Sequence, residues 1–180
     1  YRQELGVADD DFVIGHVGRF MFKKNHRFLL QIFYEISKCK ENAKLLLVGD
    51  GELRSEIEKK VYDMGIDKKV LFLGLREDVQ AIYNAMDMFV LPSWYEGLPV
   101  VSVEAQANGL RCVFSTNVTS ESKLTGSAEF MDLAAGASNW AMHILQGNNS
   151  RNSRAEKEMR LAGFDIETQA QELVNWYTVN

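Results

Sequence analysis

The chain has 180 residues, 46% hydrophobic and 25% charged, with a net charge of −5 and two cysteines. That length and balance suit one soluble globular domain with a sizeable core. They exclude a general nucleic-acid binder, which would carry a basic stripe, a chain with the roughly 20-residue apolar run of a membrane span, and a disulfide framework, since Cys39 and Cys112 stand alone and point to a reducing, cytoplasmic setting.

Residues 1–11 are polar, open on Tyr1 rather than Met, and read as the end of a linker from a preceding domain. Asp9, Asp10 and Asp11 fit a DxD metal pattern, but their place before the first apolar run reads as a solvated acidic turn. Phe12–Val17 is the first predicted strand. It leads into Gly18, Arg19, Phe20, Met21, Phe22, Lys23, Lys24, Asn25 and His26, a loop that carries three cations. Phe28, Leu29, Ile32, Phe33 and Ile36 then recur at helical spacing. Residues 45–48 form a second strand, closed by Gly49, Asp50 and Gly51. Leu53, Ile57, Val61 and Met64 mark the next helix face, which Gly65 ends. Residues 70–73 are a third strand ending at Leu73, followed by Gly74, Leu75 and Arg76. Val79, Ile82, Tyr83 and Met86 form a short helix. Residues 89–91 and 112–114 are the fourth and fifth strands, and Ala128–Met131 is a short sixth. Trp140, Ile144 and Leu145 share a helix; a polar stretch, residues 147–154, follows. The final helix, residues 165–180, shows Ile166, Ala170, Leu173, Val174 and Tyr177 on one side. Strands this apolar are covered on both faces, so the expected fold is α/β, a Rossmann-like parallel sheet flanked by helices.

The chemistry concentrates in two loops at strand ends, where open α/β sheets bind ligands. After the first strand, Arg19 can fork onto phosphate oxygens and Lys24 adds a mobile point charge; Lys23 offers the same charge one residue earlier. Cations at a helix start oppose its dipole, so they call for a reason. After the fourth strand come Glu96, Gly97, Leu98, Pro99 and Val100, then a helix carrying Glu104. Gly97 lets a ligand approach the backbone, Pro99 suits the first helical turn, and the free N–H groups there point at an anion. Glu104, inside the helix, has its side chain directed back toward that turn, where a carboxylate can accept from two ribose hydroxyls. Solvated loops and a surface glutamate would contain the same residue types singly. Together they suit a ligand with both hydroxyls and phosphates, such as a sugar nucleotide. His16, His26 and His143 lack metal-ligand spacing, and no Walker A, GxGxxG or GxSxG motif is present.

Glu96 and Glu104, with GLPVVSV between them, resemble the E-x7-E motif of retaining glycosyltransferases of the GT-B fold, group 1, and LPSWYEGLPVVSVEA resembles that family's wording throughout. GRFMFKKNH resembles its GR-x-x-x-x-K-x-H loop. The resemblance runs from about Leu5 to about Gly126. It implies the C-terminal, donor-binding half of a GT-B fold. Arg19 and Lys24 would then contact the donor diphosphate, Glu96 the transferred sugar and Glu104 the ribose; Arg19, Lys24 and Glu96 are the candidate catalytic residues. Donor-binding residues would be Gly18, Arg19, Lys24, Leu73, Arg76, Glu96, Gly97, Leu98, Pro99, Val100 and Glu104, with Leu73 and its neighbours lining the base. No cofactor and no metal are implied; the donor substrate is a nucleotide-diphosphate sugar, a UDP-sugar first. The acceptor, a glycan or lipid-linked sugar, would be held by a preceding N-terminal domain, on which residues 165–180 would dock. That setting implies work in bacterial polysaccharide or glycoconjugate synthesis at the inner face of the cell membrane, with peripheral membrane contact. A sugar-nucleotide epimerase, or a non-catalytic nucleotide-binding domain, is the alternative on the same fold.

Overall fold

The computed structural model describes residues 1–179. Six strands, β1 (Phe12–Val17), β2 (Ala43–Val48), β3 (Val70–Gly74), β4 (Met88–Leu91), β5 (Arg111–Ser115) and β6 (Ala128–Met131), form one sheet in the order β3-β2-β1-β4-β5-β6, every pair parallel. Each strand after the first is reached through a crossover, and helices fill most of them: α1 (His26–Cys39), α2 (Arg54–Asp63), α3 (Val79–Ala85) and α4 (Val100–Ala107). After β6 come α5 (Ala137–Gln146), α6 (Ala155–Leu161) and α7 (Ile166–Val179). The expected α/β, Rossmann-like parallel sheet is therefore the fold.

The period-two alternation of a strand sorts the core into two layers. Ile14, Leu45, Leu47, Met88, Val90 and Val113 face α1, α2 and α5, where they pack on Leu29, Phe33, Ile57 and Trp140. Val13, Leu46, Val48, Phe89, Leu91 and Phe114 face the other way, onto Ile82, Tyr83 and Ala105. Because both faces are covered, the inner strands read as largely apolar runs. The chain first winds outward from β1 to β3, then returns and winds from β4 to β6. The carboxyl ends of β1 and β4 therefore diverge and leave a crevice.

Two departures from the sequence reading, and one agreement, bear on function. Residues 1–11 are packed against the domain: Leu5 and Val7 are buried, and Arg2 binds the Asp87 carboxylate at 2.8 Å while the other oxygen of that carboxylate accepts the Val13 N–H at 2.7 Å. Helix α6 was not expected at all; Ala155 and Met159 bury against the domain, and the Glu158 carboxylate accepts the Gly126 N–H at 2.8 Å. Helix α7 is where it was expected, and Leu173, Val174, Trp176 and Tyr177 on it are all exposed, as that reading required. Residue 180, the end of the predicted final helix, lies outside the described residues.

Candidate functional site

The loop after β1 is laced to the loop after β2 by backbone hydrogen bonds. Gly18 N–H donates to Val48 O at 2.9 Å, Phe20 N–H to Asp50 O at 3.0 Å, and Leu53 N–H to Phe20 O at 3.0 Å. Gly49 allows this closeness: at its φ of +129°, an added Cβ would fall 2.3 Å from the Gly18 carbonyl oxygen. The loop then makes a single turn, Phe22–Lys24, ending at Asn25 with φ 56°, the one non-glycine residue in the left-handed region among the described residues. A conformation of that kind persists only where its surroundings enforce it. Here Asn25 Nδ2 donates to Pro92 O at 3.0 Å, which ties the β1 loop to the β4 loop.

Glu96 sits where three loops meet. Trp94 N–H donates to Lys23 O at 2.8 Å, and beyond it Glu96 N–H donates to Asn117 O at 3.3 Å while Glu96 O accepts the Thr119 N–H at 3.2 Å. The Glu96 side chain is only 6% exposed; Lys24 Nζ lies 2.7 Å from its Oε1 and Lys23 Nζ 3.2 Å from its Oε2. Burial makes this pairing obligatory, because a desolvated charge without a partner is costly. Lys24 is itself nearly buried, at 10%, whereas Lys23 is 31% exposed. Lys23 thus belongs to the constellation, a role that its neighbour's motif position concealed. A recess of about 450 Å³ opens on Glu96 from the side of Thr116, Asn117 and Phe130.

Arg19 lies apart from this cluster. Its side chain is 70% exposed, with Nε 3.5 Å from a Glu52 carboxylate oxygen. With Gly49, Asp50, Gly51 and Leu75 it lines a second recess of about 380 Å³. Arg19 and Lys24 therefore stand at the two ends of one loop. Leu73 is half-buried in β3. The carbonyl of Gly74 accepts the Gly49 N–H at 2.8 Å. Arg76 forks onto Asp78 at 2.8 and 2.6 Å and bonds Tyr1, so Leu75 rather than Arg76 lines the recess.

Helix α4 starts one residue later than expected. Pro99 is its N-cap, with φ −76° and ψ 127°, and its carbonyl accepts from Ser102 Oγ at 2.7 Å. Ser102 N–H donates to the same carbonyl at 2.9 Å, while the N–H groups of Val100 and Val101 precede the first intrahelical bond and give this end its partial positive charge. Gly97 and Leu98 are exposed in front of it, and a Cβ added to Gly97 would meet nothing within 4 Å. The protein's own packing thus makes no demand for glycine at that position. Glu104 is half-buried on α4, and its Oε2 accepts the Tyr83 hydroxyl at 3.0 Å. Burial, and then the Glu104 charge, push the Tyr83 phenol far above its ordinary value, so it stays a donor.

Beneath the loops lie two buried imidazoles. His16 Nδ1 is 2.9 Å from Val90 O, which fixes Nδ1 as the donor and Nε2 as the lone pair. His26 stacks on Phe20 at 4.2 Å and meets His16 edge-on at 4.7 Å. Within the described residues, His16 Nε2 and both nitrogens of His26 have no hydrogen-bond partner. Burial pushes His16 down to about 4 and His26 to about 2, and the nearby Lys24 charge adds to both. A Cβ at Gly18 would stand 3.1 Å from Lys24 Cε and 3.2 Å from His16 Nε2. Gly18→Ala is therefore expected to displace the Lys24 stem at a cost of about 1 kcal/mol in folding stability, read by chemical denaturation; unchanged stability would show that Lys24 yields freely.

Comparison with known proteins places this geometry. Residues 11–146 match the family model for glycosyl transferases group 1. Over 179 residues the chain is 36% identical to the putative glycosyltransferase EpsF of Bacillus subtilis, covering 97% of this chain and 47% of that protein. It is 37% identical over 114 residues to an Escherichia coli UDP-Gal:α-D-GlcNAc-diphosphoundecaprenol α-1,3-galactosyltransferase, covering 62% of this chain and 30% of that protein. The chain thus spans about half the length, or less, of these curated relatives. Among solved structures, Anabaena HepE in complex with UDP and glucose superposes with a TM-score of 0.79 at 23% identity, over 98% of this chain and 50% of that one. WaaG, a glycosyltransferase involved in lipopolysaccharide biosynthesis, gives 0.77 at 19% identity, over 92% and 46%. At such identities the structures speak for the fold alone; the sequence matches carry the family, and this chain belongs to the glycosyl transferases group 1.

Proposed function

We propose that the chain is the donor-binding half of a retaining GT-B glycosyltransferase that takes a nucleotide-diphosphate sugar, with UDP as the nucleotide. The observation that carries this reading is the buried Glu96 carboxylate bound to Lys24 and Lys23 beside the start of α4. A desolvated cluster of both signs in a crevice suits a substrate that brings hydroxyls and a diphosphate together. The bond from the anomeric carbon to the diphosphate oxygen breaks as the acceptor oxygen joins that carbon from the same face. The acceptor's proton passes to the departing phosphate. Negative charge grows on the diphosphate, and fixed cations and N–H dipoles stabilise it most where water is excluded. Lys24, Arg19 and the first turn of α4 are assigned that work, Glu96 the transferred sugar, Glu104 the ribose, and the β3 end from Leu73 to Leu75 the base.

The UDP assignment is supported by HepE, whose solved complexes contain UDP and UDP-glucose. Relatives that act on undecaprenol-linked sugars support a lipid-linked acceptor, handled by a preceding domain at a membrane surface. Among the described residues no helix is long and apolar enough to cross a membrane; peripheral contact with that surface is part of the same proposal. The exposed apolar side of α7 is assigned to that preceding domain, and the packed residues 1–11 to the end of the linker.

Titration calorimetry of this chain with UDP, GDP, ADP and their sugar conjugates tests the reading. One nucleotide should bind selectively, and Arg19→Ala and Glu104→Ala should each weaken it about tenfold, the scale of one charge-assisted hydrogen bond. Binding that is indifferent to base and to both substitutions would overturn the site.

A further inference from the structure

Resting on the ribose assignment of Glu104, we propose that Tyr83 is a positioning residue that sets the Glu104 carboxylate and thereby the site's preference for ribose over deoxyribose. Tyr83 belongs to α3, in the crossover just before the one that holds the helix bearing Glu104, and its ring is fully buried against Phe89 at 6.0 Å. The phenol hydroxyl meets α4. There it has two acceptors, Glu104 Oε2 at 3.0 Å and Val101 O at 3.4 Å. A phenol carries one proton, and the nearer, charged oxygen takes it.

The consequence follows from the freedom of a glutamate. Its terminal torsion is broad, and a half-buried carboxylate on a helix would otherwise sweep several orientations. The buried ring of Tyr83 cannot move without disturbing the core, so its hydroxyl is a fixed peg. Holding Oε2 fixes the plane of the carboxylate and leaves Oε1, and the remaining lone pair of Oε2, directed away from Tyr83. Two acceptor sites held in a fixed plane match two adjacent hydroxyls. A carboxylate free to rotate would hold either one of them but would lose orientation on engaging both. Geometric pre-setting of this kind raises affinity by removing the ordering cost at binding.

Tyr83→Phe tests this, because phenylalanine keeps the ring in the core and removes only the hydroxyl. The probes are whichever of UDP, GDP and ADP binds tightest, together with its 2′-deoxy and 3′-deoxy forms. Calorimetric affinities are compared for the unmodified chain, Tyr83→Phe, Glu104→Gln and the double variant. The preference for ribose over either deoxy form should fall about fivefold in Tyr83→Phe, vanish in Glu104→Gln, and show no further loss in the double variant. Thermal unfolding of Tyr83→Phe should stay within a few degrees of the unmodified chain. If Glu104→Gln abolishes the preference and Tyr83→Phe leaves it intact, the positioning role is overturned while the ribose assignment stands. If Glu104→Gln also leaves it intact, or no nucleotide binds, the ribose assignment fails and the proposal with it. An equal loss of affinity for ribose and deoxyribose in Tyr83→Phe would assign Tyr83 a purely structural part and likewise overturn the proposal.

Discussion

Replacing Lys24 by methionine is expected to slow sugar transfer about 10²–10³-fold in the complete protein, the usual cost of deleting one preorganised group that meets developing charge. The donor's KM should change far less, because the ammonium is assigned to charge that appears as the bond breaks. The geometry separates this loss from a folding defect. Methionine fills the space of the lysine stem, so the buried contacts beside Gly18 and His16 are kept. The Glu96 carboxylate is not left alone, since Lys23 remains 3.2 Å from its Oε2. Breaking a buried pair is severe when the surviving charge has no partner, and here it has one. Lys23→Met is the internal comparison. Lys23 is the more exposed of the two cations and the more distant from Glu96, so its loss should cost less than about tenfold, as expected of a partly screened pair. Single-turnover transfer with saturating donor measures both. A Lys24→Met enzyme within threefold of the unmodified rate, or a Lys23→Met enzyme slower than it, would remove Lys24 from the role assigned to it.

The sheet was legible because its four inner strands, β1, β2, β4 and β5, are buried on both faces and therefore written largely as runs of apolar residues. Errors at strand ends came from residues whose burial depends on distant partners. β5 begins at Arg111, a charge that a sequence reading leaves outside a core strand. In the fold its guanidinium is buried, forks onto Glu129 at 2.9 and 3.1 Å, and donates to the carbonyl of Ile144 at 3.0 Å. Helix α6 escaped notice for a related reason. Only Ala155 and Met159 anchor it, too few apolar positions to show a period, and much of its hold is the Glu158 contact with the β5–β6 connection.

The candidate site was legible in its motif residues and illegible in its support. Glu96 and Lys24 are 72 positions apart in sequence, and only the fold shows that they are in contact. Lys23 was set aside because its neighbour occupies the motif position. Tyr83 reads as one more apolar point on a short helix, because nothing local tells a core aromatic from one whose hydroxyl reaches a carboxylate of the candidate site. Arg76 drew attention as a cation near the base, yet Asp78, two residues on, claims it.

The buried imidazoles set the second large effect, a loss of folding stability in mild acid. His16 and His26 are held neutral in the folded state, at about 4 and about 2, against about 6.5 in an unfolded chain. A histidine whose folded value is depressed binds its proton more readily when unfolded. Its contribution to stability is therefore complete above about pH 6.5 and declines as the pH falls toward the folded value. At pH 5 the unfolded chain is protonated at both sites and the folded chain at almost neither. Each site then costs about 2 kcal/mol, or about 4 kcal/mol together, relative to pH 7.5. That is a large share of a small domain's total stability. The carboxylates held low by their partners, such as Glu129 beside Arg111, titrate below the window between pH 5 and 6.5. His26→Phe tests the assignment. Phe replaces a ring already stacked on Phe20 and removes two buried nitrogens that have no partner among the described residues. Urea denaturation should find this variant at least as stable as the unmodified chain at pH 7.5, with about half its sensitivity between pH 7.5 and 5. A pH difference unchanged by His26→Phe would mean that the acid loss arises elsewhere.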